Sequence, residues 1–455
     1  MPIVSHNPTT GKDIQSFEEL SIDEINARIE LSQSAFQHWR IVSFAERSEK
    51  MHTLATLLRE KKYELGKLAT LEMGKPITQA VGEIEKCAWA CDYYADDAEH
   101  MLAPEHVSAD YAESYIRFDP LGVILAIMPW NFPYWQVFRF VAPALMAGNV
   151  GLLKHASNVP QCARAIEHII EETGFPKGVF QTLLVGSAKV EHIIAHDYVQ
   201  AITLTGSEHA GSVSASQAAK LIKKSVLELG GSDPFIVLSD ADIVRTCEFA
   251  TAARLQNAGQ SCIAAKRFIV VEDRYDEFIQ NYREQFSRYI VGDPMDEKTQ
   301  LGPVVSQASI EELKRQINES VLKGAEIVYG GKQLDRAGYF FEPTIVSHVT
   351  KGMPLYDEEA FGPVSAVIIV HDEEKAIQVA NDTRFGLGAS IWTKDIEKAQ
   401  KLASHIEAGS VFINGMVKSD PRLPFGGIKK SGFGRELSHY GIKEFVNVKT
   451  VVVNK

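Results

Sequence analysis

The chain is poor in cysteine, with five in 455 residues, and has no apolar run near the ~20 residues a membrane helix requires. Its longest apolar runs, such as Val123-Ile124-Leu125-Ala126-Ile127-Met128, have the length of strands. The opening Met1-Pro2-Ile3-Val4-Ser5-His6-Asn7-Pro8 carries neither a charged start nor an apolar core, so no secretory signal is expected there. Thiols so sparse (Cys87, Cys91, Cys162, Cys247, Cys262) read as reduced, which predicts a cytoplasmic protein. Positive charge is also in deficit. The net charge is −12 and no basic block occurs, which excludes a nucleic-acid groove. No G-x-G-x-x-G exists, since Leu437 stands where the third glycine after Gly432-Phe433-Gly434 should be, and no Walker A loop occurs. His192 and His196 are one turn apart, but no Glu follows His192. Cys87 and Cys91 share the same spacing without further ligands. No metal site is expected, and these residues read as helix surface and core respectively.

What is present is ordinary for a soluble globular enzyme: 45% hydrophobic and 23% charged residues, in a chain long enough for roughly two or three domains. Residues 1–100 read mostly helical. Ser21 is a candidate N-cap, Ile22, Ile25, Ile29, Phe36 and Trp39 recur at helical spacing with Ser32 as the polar break, and a second helical region spans 45–100. Residues 104–119 alternate polar and apolar, as a half-exposed hairpin would.

From 121 onward, short apolar runs alternate with amphipathic stretches. Strands are predicted at 122–128, 150–153, 180–185 and 199–204, with helices at 134–147, 159–173 and 209–220 between them. A second series places strands at 235–238, 267–272, 363–370, 388–393 and 410–414, and helices at 243–256, 275–289, 306–322 and 395–405. The expected class is α/β, with two doubly wound parallel sheets that bind ligands at the carboxyl ends of their strands. The expected domains are 1–103 with 120–229, then 230–442, with 104–119 and 443–455 forming a separate ribbon. The β-branched tail Phe445–Val453 reads as an edge strand in need of cover, which suggests a homodimer or homotetramer.

Five stretches could carry chemistry. In Gln256-Asn257-Ala258-Gly259-Gln260-Ser261-Cys262-Ile263 a cysteine follows a polar, glycine-bearing segment, although most lone cysteines pack as small hydrophobes. Thr205–Gly211 opens a helix after a strand; its free N–H groups suit a phosphate, or Ser207 merely caps the helix. Pro129-Trp130-Asn131-Phe132-Pro133 is a rigid strand-end loop in which Asn131 is either a turn residue or a donor to an oxyanion. Glu228 ends an apolar run, which is costly unless it is paired or functional. Asp357–Pro363 puts acids and an aromatic before a buried strand; its plain reading is a solvated loop.

In this order and spacing, Pro129–Pro133, Lys154, Thr205–Gly211, Glu228–Gly231, Gly259–Cys262, Glu359–Pro363, Asn414 and Pro424–Lys429 with Ser431-Gly432 resemble the aldehyde dehydrogenase superfamily, from about residue 7 to the end. The resemblance implies two Rossmann-like domains and a small oligomerising β ribbon. It implies that Cys262 attacks an aldehyde as thiolate, that Asn131 and the Cys262 N–H hold the oxyanion, and that Glu228 is the base for thioester hydrolysis. Trp130, Lys154, Gly186, Gly206, Ser207, Gly211, Leu229, Glu359 and Phe361 would bind the dinucleotide. Ser157 stands where NAD-preferring members often carry Glu, so NADP is expected to be preferred over NAD; alternatively Ser157 or Asn158 caps the next helix.

The subgroup most resembled acts on succinate semialdehyde. Arg139 and Ser419 match residues that hold the distal carboxylate there. A second arginine of that subgroup is replaced by Gln256, and Arg422 or Lys418 is a candidate to compensate. Ala264 stands where some relatives carry a second cysteine, so no redox disulfide is expected. The alternatives are another small semialdehyde or aliphatic aldehyde, a CoA-acylating relative, and a catalytically silent homologue.

Overall fold

The computed structural model describes residues 2–454. Its two main sheets are built from the continuous apolar runs that mark strands buried on both faces. A six-stranded sheet has the order Gly432–Phe433, Lys224–Glu228, Val199–Thr205, Val123–Met128, Val150–His155, Phe180–Thr182. A seven-stranded sheet has the order Glu326–Tyr329, Thr344–Ser347, Val364–Val370, Arg267–Val271, Pro234–Val237, Gly388–Trp392, Ser410–Ile413. Both are parallel except for one antiparallel edge strand each, Gly432–Phe433 and Glu326–Tyr329. Helices Trp135–Met146 and Pro160–Glu172 contact the first sheet. Among the described residues no helix is long and apolar enough to cross a membrane, and no group of three or more His, Cys, Asp or Glu is placed to hold a metal.

Local expectations meet the structure with instructive exceptions. Ser21 caps helix Ile22–Trp39 in a full capping box with Glu24. Ser32 is buried in that helix and donates to Gly178 O at 2.8 Å, so the polar break in the stripe is satisfied rather than exposed. Cys87 and Cys91 are fully buried in the first core. The N-terminus is not helical: Ile3–Asn7 and Lys12–Phe17 form a hairpin. The second of these strands buries only its last residue, so it lacks the apolar face by which a strand is recognised. Neither Ser157 nor Asn158 caps helix Pro160–Glu172. The N-cap is Val159, and the carboxylate of Glu72 accepts from Gln161 N and Cys162 N at 3.0 Å each.

The 104–119 stretch and the tail come together. Val446–Val453 pairs antiparallel with Glu113–Pro120 along its whole length, and Glu105–His106 lies on the other side. The tail strand is the long edge strand of this ribbon, with Val448 60% exposed.

Candidate active site

Three strands of the six-stranded sheet end at one place: Val123–Met128 leads into the Pro129–Pro133 loop, Val199–Thr205 into Gly206-Ser207, and Lys224–Glu228 into Leu229-Gly230. From the other side come Cys262, in the loop before strand Arg267–Val271, and Glu359 and Phe361, before strand Val364–Val370. A cavity of about 220 Å³ lies between them, lined by Trp130, Asn131, Gln136, Glu228, Cys262 and Glu359 among others. Gly206, Ser207, Leu229 and Phe361 complete the expected residues on its wall, with Phe361 edge-on to Trp130 at 5.9 Å between ring centres.

The loop carrying Cys262 is held by its backbone. Asn257 (φ 53°), Ala258 (φ 54°) and Gly259 (φ 72°) are three successive left-handed residues, which only Gly adopts freely. Cross-loop bonds compensate the strain. Asn257 Nδ2 donates to Asn131 O at 2.7 Å, Asn131 Nδ2 donates to Gln260 O at 3.1 Å, and Arg254 Nη2 donates to Gly259 O at 2.5 Å. Gly259 also has no room for a side chain, because a Cβ would lie 2.1 Å from Gly362 O. Lys266, itself buried, donates to Ser261 O (2.8 Å) and Cys262 O (2.6 Å) and pairs with Glu359 at 3.1 Å.

The site concentrates buried titratable groups. Cys262 is 9% exposed. Burial pushes its thiol well above the usual range, the Glu228 carboxylate adds to that, and the charges of Arg139 and Lys266 oppose it. Burial also raises Glu228, against the pull of Arg139 and of the thiol beside it. Arg139 Nη2 donates to Glu228 Oε2 at 3.2 Å and lies 2.8 Å from Glu436 Oε2. Burial holds Glu436 up at about 7. All the polar contacts of Arg139 fall on Nη2, and its Nη1 has none among the described residues.

Other expected residues lie off the cavity wall. Lys154 is the penultimate residue of strand Val150–His155, mostly buried, and Ser157 is exposed in the turn that follows. Gly186 and Gly211 sit where a Cβ would lie 2.7 Å from Glu19 Oε1 and 2.6 Å from Leu229 Cδ2, so both permit close approach of chain segments. Ser207, on the cavity wall, also caps helix Glu208–Lys220, accepting from Ala210 N. Ser419 is buried against Lys86 and Trp135. Gln136, Lys86, Lys266 and Glu436 escaped the sequence reading, because nothing in their local patterns sets them apart.

The residues present fit a nicotinamide dinucleotide. Glu359 keeps its carboxylate at the cavity wall, where Gly231 N donates to it at 3.1 Å, and Gly230 lacks a Cβ that would collide with it at 2.4 Å. Asn131 Oδ1 and Glu228 Oε1, on residues that line the cavity, are buried without a hydrogen-bond partner among the described residues.

The pattern of the aldehyde dehydrogenase family matches residues 1–451. A probable NADP(+) succinate-semialdehyde dehydrogenase from Synechocystis sp. is 53% identical over 451 residues, covering 99% of each chain. NADP(+) succinate-semialdehyde dehydrogenase 1 of Mycobacterium ulcerans is 50% identical, with all of both chains covered. Among solved structures, the succinic semialdehyde dehydrogenase of Streptococcus pyogenes in complex with NADP+ superposes with a TM-score of 0.97 at 39% identity, again over all of both chains. By a match that runs through its strand-end cavity and across nearly its entire length, this chain belongs to the aldehyde dehydrogenase family.

Proposed function

We propose that the protein oxidises succinate semialdehyde to succinate with NADP as preferred hydride acceptor. The observation that carries the reading is the convergence of Cys262, Asn131, Glu228 and Glu359 on one cavity wall. The names of its half-identical relatives support the substrate and cofactor. Cys262 adds to the aldehyde carbon once its proton has left for Glu228 beside it. The resulting oxyanion is held by the free N–H of Asn131 Nδ2 and by the Cys262 amide, both fixed by the cross-loop bonds described above. When bound, the dinucleotide supplies the hydride acceptor that converts the adduct to a thioester. Once it has passed the thiol proton to solvent, Glu228 takes a proton from the water that hydrolyses the thioester, and its raised affinity for protons suits that task. Lys154, Ser157 and the first-turn amides of helix Glu208–Lys220 bind the adenosine and phosphate end. Gly186, Gly206, Ser207, Gly211 and Leu229 let it approach the backbone.

The experiment that tests the reading is a panel of aldehydes with and without a terminal carboxylate, each run with both cofactors. Highest kcat/KM for succinate semialdehyde with NADP supports it; a preference for uncharged aldehydes or for NAD rejects it. Because Ser157 is exposed and neutral, Ser157→Glu should place a carboxylate against the 2′-phosphate. It is expected to lower the NADP:NAD ratio of kcat/KM by about 100-fold, the scale of a like-charge juxtaposition. An unchanged ratio would remove Ser157 from the cofactor site.

The distal carboxylate is assigned to Ser419 and the free Nη1 of Arg139. Arg139→Leu is expected to raise KM for succinate semialdehyde about 30-fold or more, because a charge-assisted bond is lost. For an uncharged aldehyde only kcat should fall, through the loss of the Glu228 partner. Equal KM changes for both would reject the assignment. Assembly into a homodimer or homotetramer is supported by the exposed edge strand Val446–Val453, and a cytoplasmic home by five free cysteines.

A further inference from the structure

We propose that Lys86 binds the distal carboxylate of the substrate together with Ser419, supplying the positive charge that Gln256 does not. The inference rests on the substrate reading above and deepens it.

Lys86 lies on helix Ile77–Met101, and its Nζ donates to Ser419 Oγ at 2.8 Å across 333 residues of sequence. The ammonium sits 4.2 Å above the Trp135 ring, and Trp135 Nε1 donates to the same Ser419 oxygen at 3.0 Å. The geometry leaves donors with nothing to bind. Ser419 Oγ accepts twice, which occupies both of its lone pairs, so its own hydrogen must point to an acceptor, and none is found among the described residues. Lys86 uses one of its three N–H groups. No carboxylate lies within ion-pair distance of it among the described residues, although nearly every other sequestered cation near the site has a carboxylate or several carbonyls. A half-buried ammonium held only by a hydroxyl and an indole face is under-compensated. A cluster with several free donors and no free acceptor is complementary to an anion, and its spread suits a carboxylate.

The cluster and the catalytic cavity both draw residues from helix Trp135–Met146. Gln136 lines the cavity wall beside Cys262, while Trp135 faces Lys86. Arg139 is one turn beyond Trp135 on the same helix face. The charge of Arg139 acts on both Lys86 and Cys262, and a bound semialdehyde places its carboxylate at Lys86 and Ser419 with its aldehyde at the thiol. Burial and the charge of Arg139 lower Lys86 to about 8, so it is charged at neutral pH and loses its proton in mild base. The other groups facing it are Glu83 and Cys87 on its own helix and Asp420 from the loop after Ser419. Asp420 is occupied by Arg422 through bonds of 2.9 and 2.7 Å.

The test compares Lys86→Met, Lys86→Gln and Lys86→Arg with the unaltered protein. Each is assayed with NADP on succinate semialdehyde and on butanal, an uncharged aldehyde of equal chain length, from about pH 6 to pH 9.5. Turnover of succinate semialdehyde by the unaltered protein, lost in Cys262→Ala, secures the substrate reading first; its failure would sink that reading and not Lys86 alone. Lys86→Met and Lys86→Gln should raise KM for the semialdehyde about 30-fold while kcat/KM for butanal changes less than about threefold. In the unaltered protein, KM for the semialdehyde should rise above about pH 8; Lys86→Arg should retain binding and remove that rise. Equal effects on both aldehydes, no effect on either, or a rise in KM with pH that survives in Lys86→Arg would overturn the proposal. The two neutral variants differ in polarity, so failure of one to fold still leaves the other to decide.

Discussion

Replacing Cys262 by alanine should abolish aldehyde oxidation, with kcat falling about 10⁵- to 10⁶-fold, the scale seen when a covalent nucleophile is removed from a preorganised site. The size follows from the arrangement. On the proposed mechanism the cross-braced left-handed loop, the Asn131 amide and the neighbouring carboxylate all act on a carbonyl joined to residue 262. Folding should be nearly unaffected, since alanine removes one small group from a site that already has space beside it. Melting temperature and NADP binding should therefore match those of the unaltered protein, and fluorescence titration of bound dinucleotide checks the latter. Turnover within tenfold of normal would end the reading of Cys262 as nucleophile.

Glu228→Gln should separate the two halves of the reaction. Acylation can still proceed at high pH, where the thiol ionises without help, while hydrolysis loses its base. A burst of about one equivalent of reduced cofactor per site should then precede a steady rate lowered about 10³-fold, within the usual range for general-base catalysis. The pH profile gives a second readout. Burial raises the Glu228 proton affinity above the ordinary carboxylate range, and the base must be deprotonated to act. In the unaltered enzyme kcat should therefore decline as pH falls through that raised value, at higher pH than a solvated Glu would show, and the decline should vanish in Glu228→Gln. A smooth progress curve with no burst, or an acid limb that persists in the variant, would show that another group activates the water.

The fold was legible where strands are buried on both faces, because continuous runs such as Val123–Met128 and Val364–Val370 allow few other readings. It was illegible where pairing carries little burial. The Lys12–Phe17 strand is almost wholly exposed, and Gly432–Phe433 is two residues long yet returns to pair with Glu228 and Leu227. The site divides similarly. Glu228 stands out as a carboxylate in an apolar run, and Cys262 only through the other stretches that accompany it. Lys86 and Glu436 do not, since each acquires its meaning from a partner distant in sequence: Ser419 for the first, Arg139 for the second. A lysine on an amphipathic helix and a glutamate in a glycine-rich loop have nothing local to distinguish them.

The three left-handed residues before Gln260, with a carbonyl standing where a Gly259 side chain would begin, also bear on how this protein can be re-engineered. Randomised libraries spanning 257–259 should yield mostly inactive clones whatever aldehyde is selected for, since the region tolerates almost no other backbone. Diversity is better placed at 136, where a side chain rather than main chain lines the cavity and a new polarity can be written without disturbing the loop that carries the sulfur.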